Sequence, residues 1–198
     1  MSTHMSQQGV LYNMRRLWES MTIPGAWYPT LEAAAKRIHQ HRAVYEAVAK
    51  AVNPGMPWWF VGLIHMREST FNFSRHLHNG DPLTARTVRV PAGHPKAGKP
   101  PFAWNESAID ALTRFRRVVD WSLPNMLDQL ERFNGLGYRN YQKKASPYLW
   151  NMSNHGYGLG KYVADGKYDP RAVDKQPGVA SVLRVMVDLG IVNKKEVA

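Results

Sequence analysis

Residues 57–69 read PWWFVGLIHMRES, a long apolar run that carries a single carboxylate, Glu68, near its end. Proline has no backbone N–H to lose at the start of a helix, so Pro57 predicts a helix that begins there. In that helix the spacing of three and four residues places Val61, Ile64 and Glu68 on one face, toward the core. Desolvation raises the pKa of a carboxylate, which suits a general acid near neutral pH. The alternative is an ordinary glutamate that turns to solvent or pairs with a neighbouring cation.

The chain is strongly basic, with 26 lysines and arginines against 15 aspartates and glutamates and a formal net charge of +11. Such a charge favours a polyanionic partner, and nucleic acid, an anionic membrane face and the bacterial cell wall all fit. The basic residues form no single tract, and the sequence has no helix-turn-helix, RNA-binding or zinc-finger signature. We therefore expect a broad basic surface and no nucleic-acid partner.

The chain has no cysteine, which excludes disulfides and thiolate metal sites and leaves only histidines and carboxylates as possible zinc ligands. His65, His76 and His78 lie close in sequence but lack the His-x-x-x-His spacing of a ligand pair on one helix. A structural, hydrogen-bonding role is the better interpretation of His65. We expect no metal and no cofactor.

No stretch approaches the roughly eighteen apolar residues that a membrane span needs. The first twenty residues also lack the basic start and apolar stretch of a signal peptide. We therefore expect the chain to reside in the cytoplasm, at least when it is first made.

The remaining pattern predicts a mainly helical α+β chain. Apolar spacing and capping residues indicate helices at residues 9–21, 31–52, 105–121 and 122–133, and a last one after Pro177. Residues 71–78 and 83–90 alternate with period two around Asn79 and Gly80, which predicts a β-hairpin. We expect one domain over residues 1–198, with residues 1–30 as an N-terminal helical arm and the small β-hairpin next to a helical bundle.

A helix that ends in glutamate, a small hairpin and a helical bundle are the parts of a lysozyme, and six blocks of sequence carry a closer likeness. They are His65-x-Arg67-Glu68-Ser69, His78-Asn79-Gly80-Asp81, Val90-Pro91-Ala92-Gly93, Glu131-Arg132-Phe133-Asn134-Gly135-Leu136-Gly137-Tyr138, Ser146-Pro147-Tyr148-Leu149-Trp150 and Lys161-Tyr162-Val163-Ala164-Asp165-Gly166. Over residues 57–182 the chain resembles a group of phage and prophage endolysins of the lysozyme-like superfamily, near goose-type lysozymes and lytic transglycosylases. The resemblance implies a lysozyme-like fold.

The resemblance also implies cleavage of the peptidoglycan glycan strand between N-acetylmuramic acid and N-acetylglucosamine, with Glu68 protonating the glycosidic oxygen and lysis of the host cell as the result. Glycoside hydrolysis commonly needs a second carboxylate, and Asp81 is the only acidic residue between Glu68 and Glu106. Asp81 and Thr87 resemble the aspartate and threonine of phage-type lysozymes, where Thr87 could hold the attacking water. The alternatives are a turn aspartate and an ordinary strand threonine.

The candidate substrate-binding residues are Ser69, His65, Asn134, Gly135, Tyr138 and Tyr148. Asn134, Gly135 and Tyr138 resemble the superfamily's groove-lining motif, because glycine permits close backbone approach and tyrosine offers a ring and a hydroxyl. Ser69 could orient the neighbouring Glu68. The alternatives are a helix C-cap at Asn134 and Gly135 and a core position for Tyr148.

Other functions stay open. A lytic transglycosylase would use the same site, with one glutamate acting as acid and then as base while the sugar's own hydroxyl closes a 1,6-anhydro ring. A chitinase-like hydrolase could use the same fold, and a basic protein that binds nucleic acid or anionic lipid would need Glu68 only for structure. An endolysin would be a monomer whose partners are peptidoglycan and the anionic cell-wall or outer-membrane surface. It would wait in the host cytoplasm before release to the periplasm or cell wall.

Overall fold

The computed structural model describes residues 6–164 and 166–197. Its α-helices are α1 (Gln7–Glu19), α2 (Tyr28–Gln40), α3 (Arg42–Val52), α4 (Trp58–Ser69), α5 (Trp104–Ala111), α6 (Leu123–Asn134), α7 (Pro147–Trp150) and α8 (Val179–Asp188). Strands β1 (Lys161–Ala164) and β2 (Lys167–Asp169) form an antiparallel pair. Turns of 3₁₀-helix cover Gly25–Trp27, Thr113–Phe115 and Lys194–Val197, and Tyr138–Gln142 is a π-helical turn. These elements confirm the predicted mainly helical α+β class.

The chain divides into two compact units. One consists of residues 37–121 and contains α3, α4 and α5. The other combines the residues up to Lys36 with those from Ser122 onward, and contains α1, α6, α7, α8 and the two strands. The single domain expected over residues 1–198 stays a prediction.

Helix α4 is the buried centre of the unit formed by residues 37–121. It begins directly after Pro57, as predicted, and every residue from Trp58 to Met66 is buried. The helix is therefore covered on all sides over this span, and not only along the face that the spacing indicated. A Cβ on Gly62 would lie 2.6 Å from Cγ2 of Ile38 and 3.0 Å from Cε2 of Tyr45. Glycine at this position thus lets Ile38 and Tyr45 of the same unit approach α4 closely.

The helix predicted at residues 31–52 is in fact two helices, α2 and α3. His41 separates them with φ −101° and ψ 17°, and its ring packs edge-on against Phe73 with the ring centroids 4.8 Å apart. The first of these helices begins at Tyr28, earlier than predicted, because it continues directly from the preceding 3₁₀ turn.

The helix predicted at residues 105–121 is also shorter than expected, because α5 ends at Ala111 and a 3₁₀ turn follows. The side-chain amide of Asn53 donates hydrogen bonds to the carbonyl oxygens of Phe115 at 3.1 Å and Val118 at 2.8 Å. These carbonyls are thereby satisfied outside any helix. A tertiary contact from a buried asparagine therefore replaces the helical hydrogen bonds that the apolar spacing predicted.

The prediction of a β-hairpin at residues 71–90 is wrong, because this segment does not form a pair of strands. The segment contains one isolated antiparallel bridge, between Arg75 and Pro82, although the expected turn is present with Gly80 at φ 75°. Pro82 has no N–H for a ladder, and the carboxylate of Asp81 accepts the backbone N–H groups of Val88 and Arg89 at 2.9 and 3.1 Å. A buried side chain thus takes the donors that a second strand would have used.

The two-stranded sheet lies instead at residues 161–169, where no strand was predicted. Lys161 pairs with Asp169 and Tyr162 with Tyr168. The strands are only four and three residues long, which is too short for an alternating pattern to stand out.

Helices α1 and α6 pack against each other in the second unit. The side chain of Ser6 caps α1 by accepting the N–H of Gly9 at 3.2 Å, and Nε2 of Gln7 donates to Oδ2 of Asp128 at 3.2 Å. Val10, Met14 and Trp18 of α1 are buried. From Ser6 onward the predicted N-terminal arm is thus packed into this unit, and its residues 1–5 lie outside the described residues.

Two helix predictions in this unit are confirmed. Helix α6 ends at Asn134, before Gly135 with φ 101°. Helix α8 follows Pro177 as predicted, and its buried residues include Val179, Val182, Leu183 and Met186. None of the described helices combines the length and the apolar character that crossing a membrane requires.

Candidate functional site

Glu68 lies in the last turn of α4, where the helix leaves the core. Its side chain is half-buried, between the buried span of the helix and the exposed Thr70. Thr70 and Phe71 have positive φ values of 52° and 61°, so the chain turns sharply away directly after this carboxylate. The sequence therefore places Glu68 at the boundary between core and solvent, which is where a proton donor can meet a substrate.

Gly80 brings the following turn against this end of α4. A Cβ on Gly80 would lie 2.8 Å from the backbone oxygen of Glu68, and its φ of 75° also favours glycine. The side chain of Arg75 donates to the carbonyl oxygen of Gly80 at 2.8 Å. The turn that carries Asp81 thus packs beside the end of the Glu68 helix.

The carboxylate of Asp81 is almost entirely engaged within the protein. It is 4% exposed, and it accepts Nε–H of Arg89 at 2.6 Å in addition to the N–H groups of Val88 and Arg89. Burial raises the pKa of Asp81, but the hydrogen bonds from Arg89 and Val88 and the charge of Arg89 outweigh it and hold the pKa below its usual value. The geometry therefore favours a carboxylate that organises the loop.

Thr87 is similarly committed to the loop. It is 2% exposed, its hydroxyl donates to the carbonyl oxygen of Pro91 at 2.6 Å, and the same oxygen accepts the N–H of His94 at 2.9 Å. Its own N–H donates to the carbonyl oxygen of His94 at 2.8 Å. Thr87 therefore closes the loop of residues 87–94, and holding a water would require at least one of these bonds to open.

His65 and Ser69 support α4 from within. His65 is fully buried, with Nδ1 3.0 Å from the hydroxyl of Tyr45 and its ring 4.5 Å from that of Trp104 between centroids. Burial lowers the pKa of His65 to about 4, so the ring is neutral at neutral pH. The hydroxyl of Ser69 donates to the carbonyl oxygen of His65 at 3.4 Å. These contacts fit the structural interpretation of His65 better than a contact with substrate.

The other candidate residues lie in the second unit, around the end of α6. Asn134 and Gly135 are exposed. Tyr138 is 5% exposed and its hydroxyl accepts the N–H of Tyr162 at 3.1 Å, whereas Tyr148 is 2% exposed within α7. Tyr148 thus occupies the core position that was the alternative interpretation, and Asn134 and Gly135 are the two of this group with open surfaces.

The sequence analysis did not predict a cluster of acidic and basic side chains that involves the C-terminal half of α6. Asp128 is fully buried and pairs with Nη1 of Arg139 at 2.7 Å and Nε of Arg132 at 2.8 Å, while Glu131 pairs with Arg139. Burial raises the pKa of Asp128, but hydrogen bonds from Arg132 and Arg139 outweigh it and the net shift is downward. The spacing of three and four between Asp128, Glu131 and Arg132 was the available signal. The cluster fixes the π-helical turn that begins at Tyr138.

The sequence analysis also did not predict a group of two histidines and a carboxylate in the unit of residues 37–121. Among the residues that the structure describes, His78, His94 and Asp110 bring one potential ligand atom each to within 4.8 Å of one another. His76 is not part of this group, because its two ring nitrogens contact Oγ of Ser107 at 2.7 Å and the carbonyl oxygen of Ala85 at 2.8 Å. No spacing rule predicts the convergence, since His94 and Asp110 are 16 residues apart.

The predicted site residues thus fall into two sets. Glu68, Ser69, His65, Asp81 and Thr87 belong to the unit of residues 37–121, and Asn134, Gly135, Tyr138 and Tyr148 belong to the other unit. Within the first set, Glu68 is half-buried, whereas Asp81 and Thr87 bind their own loop. No family model, curated protein or solved structure matches the chain.

Proposed function

We propose that this protein is a peptidoglycan-degrading endolysin with a lysozyme-like fold, and that it cleaves the glycan strand with Glu68 as general acid. The observation that carries the proposal is the half-buried Glu68 at the end of a helix that is buried from Trp58 to Met66, beside the turn of residues 79–81. A carboxylic acid at the boundary between core and solvent can reach a bound substrate and donate a proton to it. The six blocks of sequence that resemble endolysins agree with this role.

In the proposed reaction Glu68 donates its proton to the oxygen between N-acetylmuramic acid and N-acetylglucosamine. The bond from the anomeric carbon to that oxygen breaks, and the N-acetylglucosamine side leaves with the proton as a free hydroxyl. Positive charge develops on the muramic acid ring. In a muramidase the oxygen of a water then bonds to the anomeric carbon, while Glu68, now deprotonated, takes a proton from that water. Asn134 and Gly135, whose surfaces are exposed in their own unit, stay candidate sugar contacts from the sequence resemblance alone.

A lytic transglycosylase is the second candidate, and the state of Asp81 favours it. A hydrolase with two carboxylates needs the second one available to a water or to the sugar, whereas the oxygens of Asp81 accept three hydrogen bonds from Val88 and Arg89. A transglycosylase needs no second carboxylate. Glu68, once deprotonated, takes the proton from the sugar's own C6 hydroxyl, and that oxygen closes the 1,6-anhydro ring.

The charge of the chain supports the same substrate. A formal net charge of +11 attracts the protein to anionic wall and outer-membrane components and raises its local concentration there. We propose that it acts as a monomer on the cell wall after release from the host cytoplasm.

The test is mass spectrometry of the fragments released from purified peptidoglycan by the wild-type protein, Glu68→Gln and Glu46→Gln. Glu46 is a suitable control because it is an exposed glutamate of the same unit, paired with Arg42 across one turn of α3. We expect fragments from the wild type and Glu46→Gln and none from Glu68→Gln. Reducing ends would identify hydrolysis, and anhydro ends would identify a transglycosylase.

Two results would contradict the proposal. Equal release by Glu68→Gln and the wild type would mean that Glu68 is not the acid. Release of no fragments by the wild type, together with cleavage of chitin or binding to nucleic acid, would move the protein to one of the other classes that its charge and fold allow.

A further inference from the structure

We infer that His78, His94 and Asp110 form a binding site for a divalent transition-metal ion of the Zn²⁺ class. The inference does not depend on the proposed function. It rests on the geometry of three side chains that come from three separate parts of the chain and meet at one carboxylate oxygen.

The two imidazoles converge on Oδ2 of Asp110. Nε2 of His78 lies 2.9 Å from this oxygen, and Nδ1 of His94 lies 2.6 Å from it. Zinc binds histidine nitrogen and carboxylate oxygen at about 2.0–2.2 Å, so tetrahedral ligand atoms stand roughly 3.3 Å apart. The two pairs with Asp110 would therefore need to open by under about 1 Å, and the two histidine nitrogens, which lie within 4.8 Å of each other, would adjust to the same spacing to hold an ion of this size. The two ring protons that now face the carboxylate would move to the other ring nitrogens.

The donor set fits a zinc-like ion better than a hard cation. Two histidines and one carboxylate are a common ligand set for Zn²⁺ with water in the fourth position, and imidazole suits transition metals in general. Mg²⁺ and Ca²⁺ prefer oxygen ligands throughout. The chain has no cysteine, so histidine and carboxylate are the strongest zinc ligands that it can offer.

The ligands are held in place by further hydrogen bonds. Oδ1 of Asp110 accepts the N–H of Lys96 at 3.1 Å, which leaves Oδ2 directed between the two histidines. The backbone of His94 is fixed on both sides by Thr87, through its hydroxyl and its N–H. Contacts of this kind beyond the ligands orient a metal site.

The site combines burial with access. The side chain of His78 is 3% exposed, whereas those of His94 and Asp110 are 25% and 20% exposed. One side of the group is therefore dry, and the other is open to water, which can supply the fourth ligand and a path of entry.

A metal at this position would stabilise a segment that has little regular structure. Residues 70–103 connect α4 to α5 without a helix or a regular strand, and connections of this length in a compact unit are uncommon. An ion bound to His78, His94 and Asp110 would join two points of this loop to α5. The ion would cross-link the loop to α5. In theory, cross-links that close long loops stabilise the folded state most.

The experiment is a zinc titration of the metal-free full-length protein by calorimetry, with thermal unfolding recorded in zinc, in magnesium and in chelator. We expect one strong zinc site per chain, a higher Tm in zinc than in chelator, and no effect of magnesium. His94→Gln and Asp110→Asn should each weaken zinc binding by more than about tenfold, since loss of supporting contacts alone costs that much.

The control is His39→Ala, which removes an exposed imidazole from the same unit and should leave zinc binding unchanged. Because Asp110→Asn also removes contacts to the loop, His94, whose side chain is 25% exposed, provides the second, milder variant. The inference is overturned if zinc neither binds strongly nor raises the Tm of the wild type. It is equally overturned if zinc binds but His94→Gln and Asp110→Asn bind it as tightly as His39→Ala does.

Discussion

Helix α4 and the loop of residues 70–103 that follows it are stabilised by opposite kinds of contact. The helix is enclosed by apolar side chains, with Phe60 and Ile64 fully buried. The loop is organised by a few polar side chains, above all Asp81 and Thr87, which bind backbone N–H groups. Apolar packing spreads its free energy over many contacts, whereas each buried polar group is costly when it loses a partner. The helix should therefore respond to changes of volume, and the loop to changes of charge and hydrogen bonding.

Phe60→Ala should show the largest effect, because it removes apolar volume from the centre of α4. The Phe60 ring packs edge-on against those of Phe115 and Trp121, with centroids 5.2 and 5.4 Å away. We expect the free energy of unfolding to fall by about 3–5 kcal/mol, measured by urea unfolding followed by circular dichroism. The control Val119→Ala, at a side chain that is 96% exposed, should stay within about 0.5 kcal/mol of the wild type. A similar effect of both substitutions would show that α4 is not the centre of the unit.

Acidification should weaken α4 before it weakens the loop, because His65 lies inside the packing of the helix. Burial lowers the pKa of His65 to about 4, from about 6.5 in an unfolded chain. The unfolded chain binds the proton first, so this stabilisation is complete above about pH 6.5 and is lost as the pH falls toward 4. The loss should be on the order of 3 kcal/mol.

Urea unfolding of the wild type and of His65→Gln between about pH 7 and pH 4 measures how much of the loss of stability on acidification comes from His65. The stability of the variant should depend less on pH within this window, even though the variant is less stable at neutral pH. The same slope in both proteins would assign the pH dependence to other groups.

Asp81→Asn should have a smaller effect, confined to the loop. The substitution removes the charge that accepts three hydrogen bonds from Val88 and Arg89, and such bonds to charged groups contribute roughly 2 kcal/mol. Because the folded pKa of Asp81 is lowered, its stabilisation is present above the unfolded pKa near 3.8 and is lost as the pH falls through the folded value. The difference between variant and wild type, measured by urea unfolding, should therefore shrink below about pH 4.

Glu46→Gln is the matched control for Asp81→Asn. It neutralises a carboxylate in an exposed ion pair with Arg42, which should change stability by less than about 1 kcal/mol. If the two substitutions cost the same, the hydrogen bonds of Asp81 do not organise the loop.

The sequence predicted the elements that depend on near neighbours. Pro57 indicated where α4 begins, Gly135 where α6 ends, and the Asn79–Gly80 pair where the chain turns. Each of these signals acts through the backbone of one or two residues, so it holds whatever packs around it. The sequence also identified Glu68 as the carboxylate at the end of the apolar run, and the structure keeps it half-buried.

The same reasoning failed where a distant residue supplies the contact. Asn53 takes the carbonyls that would have extended the helix after α5. Asp81 takes the N–H groups that would have paired in a hairpin. In both places a buried polar side chain competes with regular backbone hydrogen bonds, and the spacing of apolar residues carries no sign of it.

By itself, the sequence determined the basic charge, the absence of thiol chemistry, the central helix and its terminal glutamate. These properties follow from composition or from local spacing. Only the tertiary structure decided that Asp81 and Thr87 bind their own loop, that Tyr138 and Tyr148 are buried, and that His78, His94 and Asp110 meet. Those outcomes depend on which segments pack together, because a side chain 16 or 32 residues away becomes a neighbour only when the chain has folded.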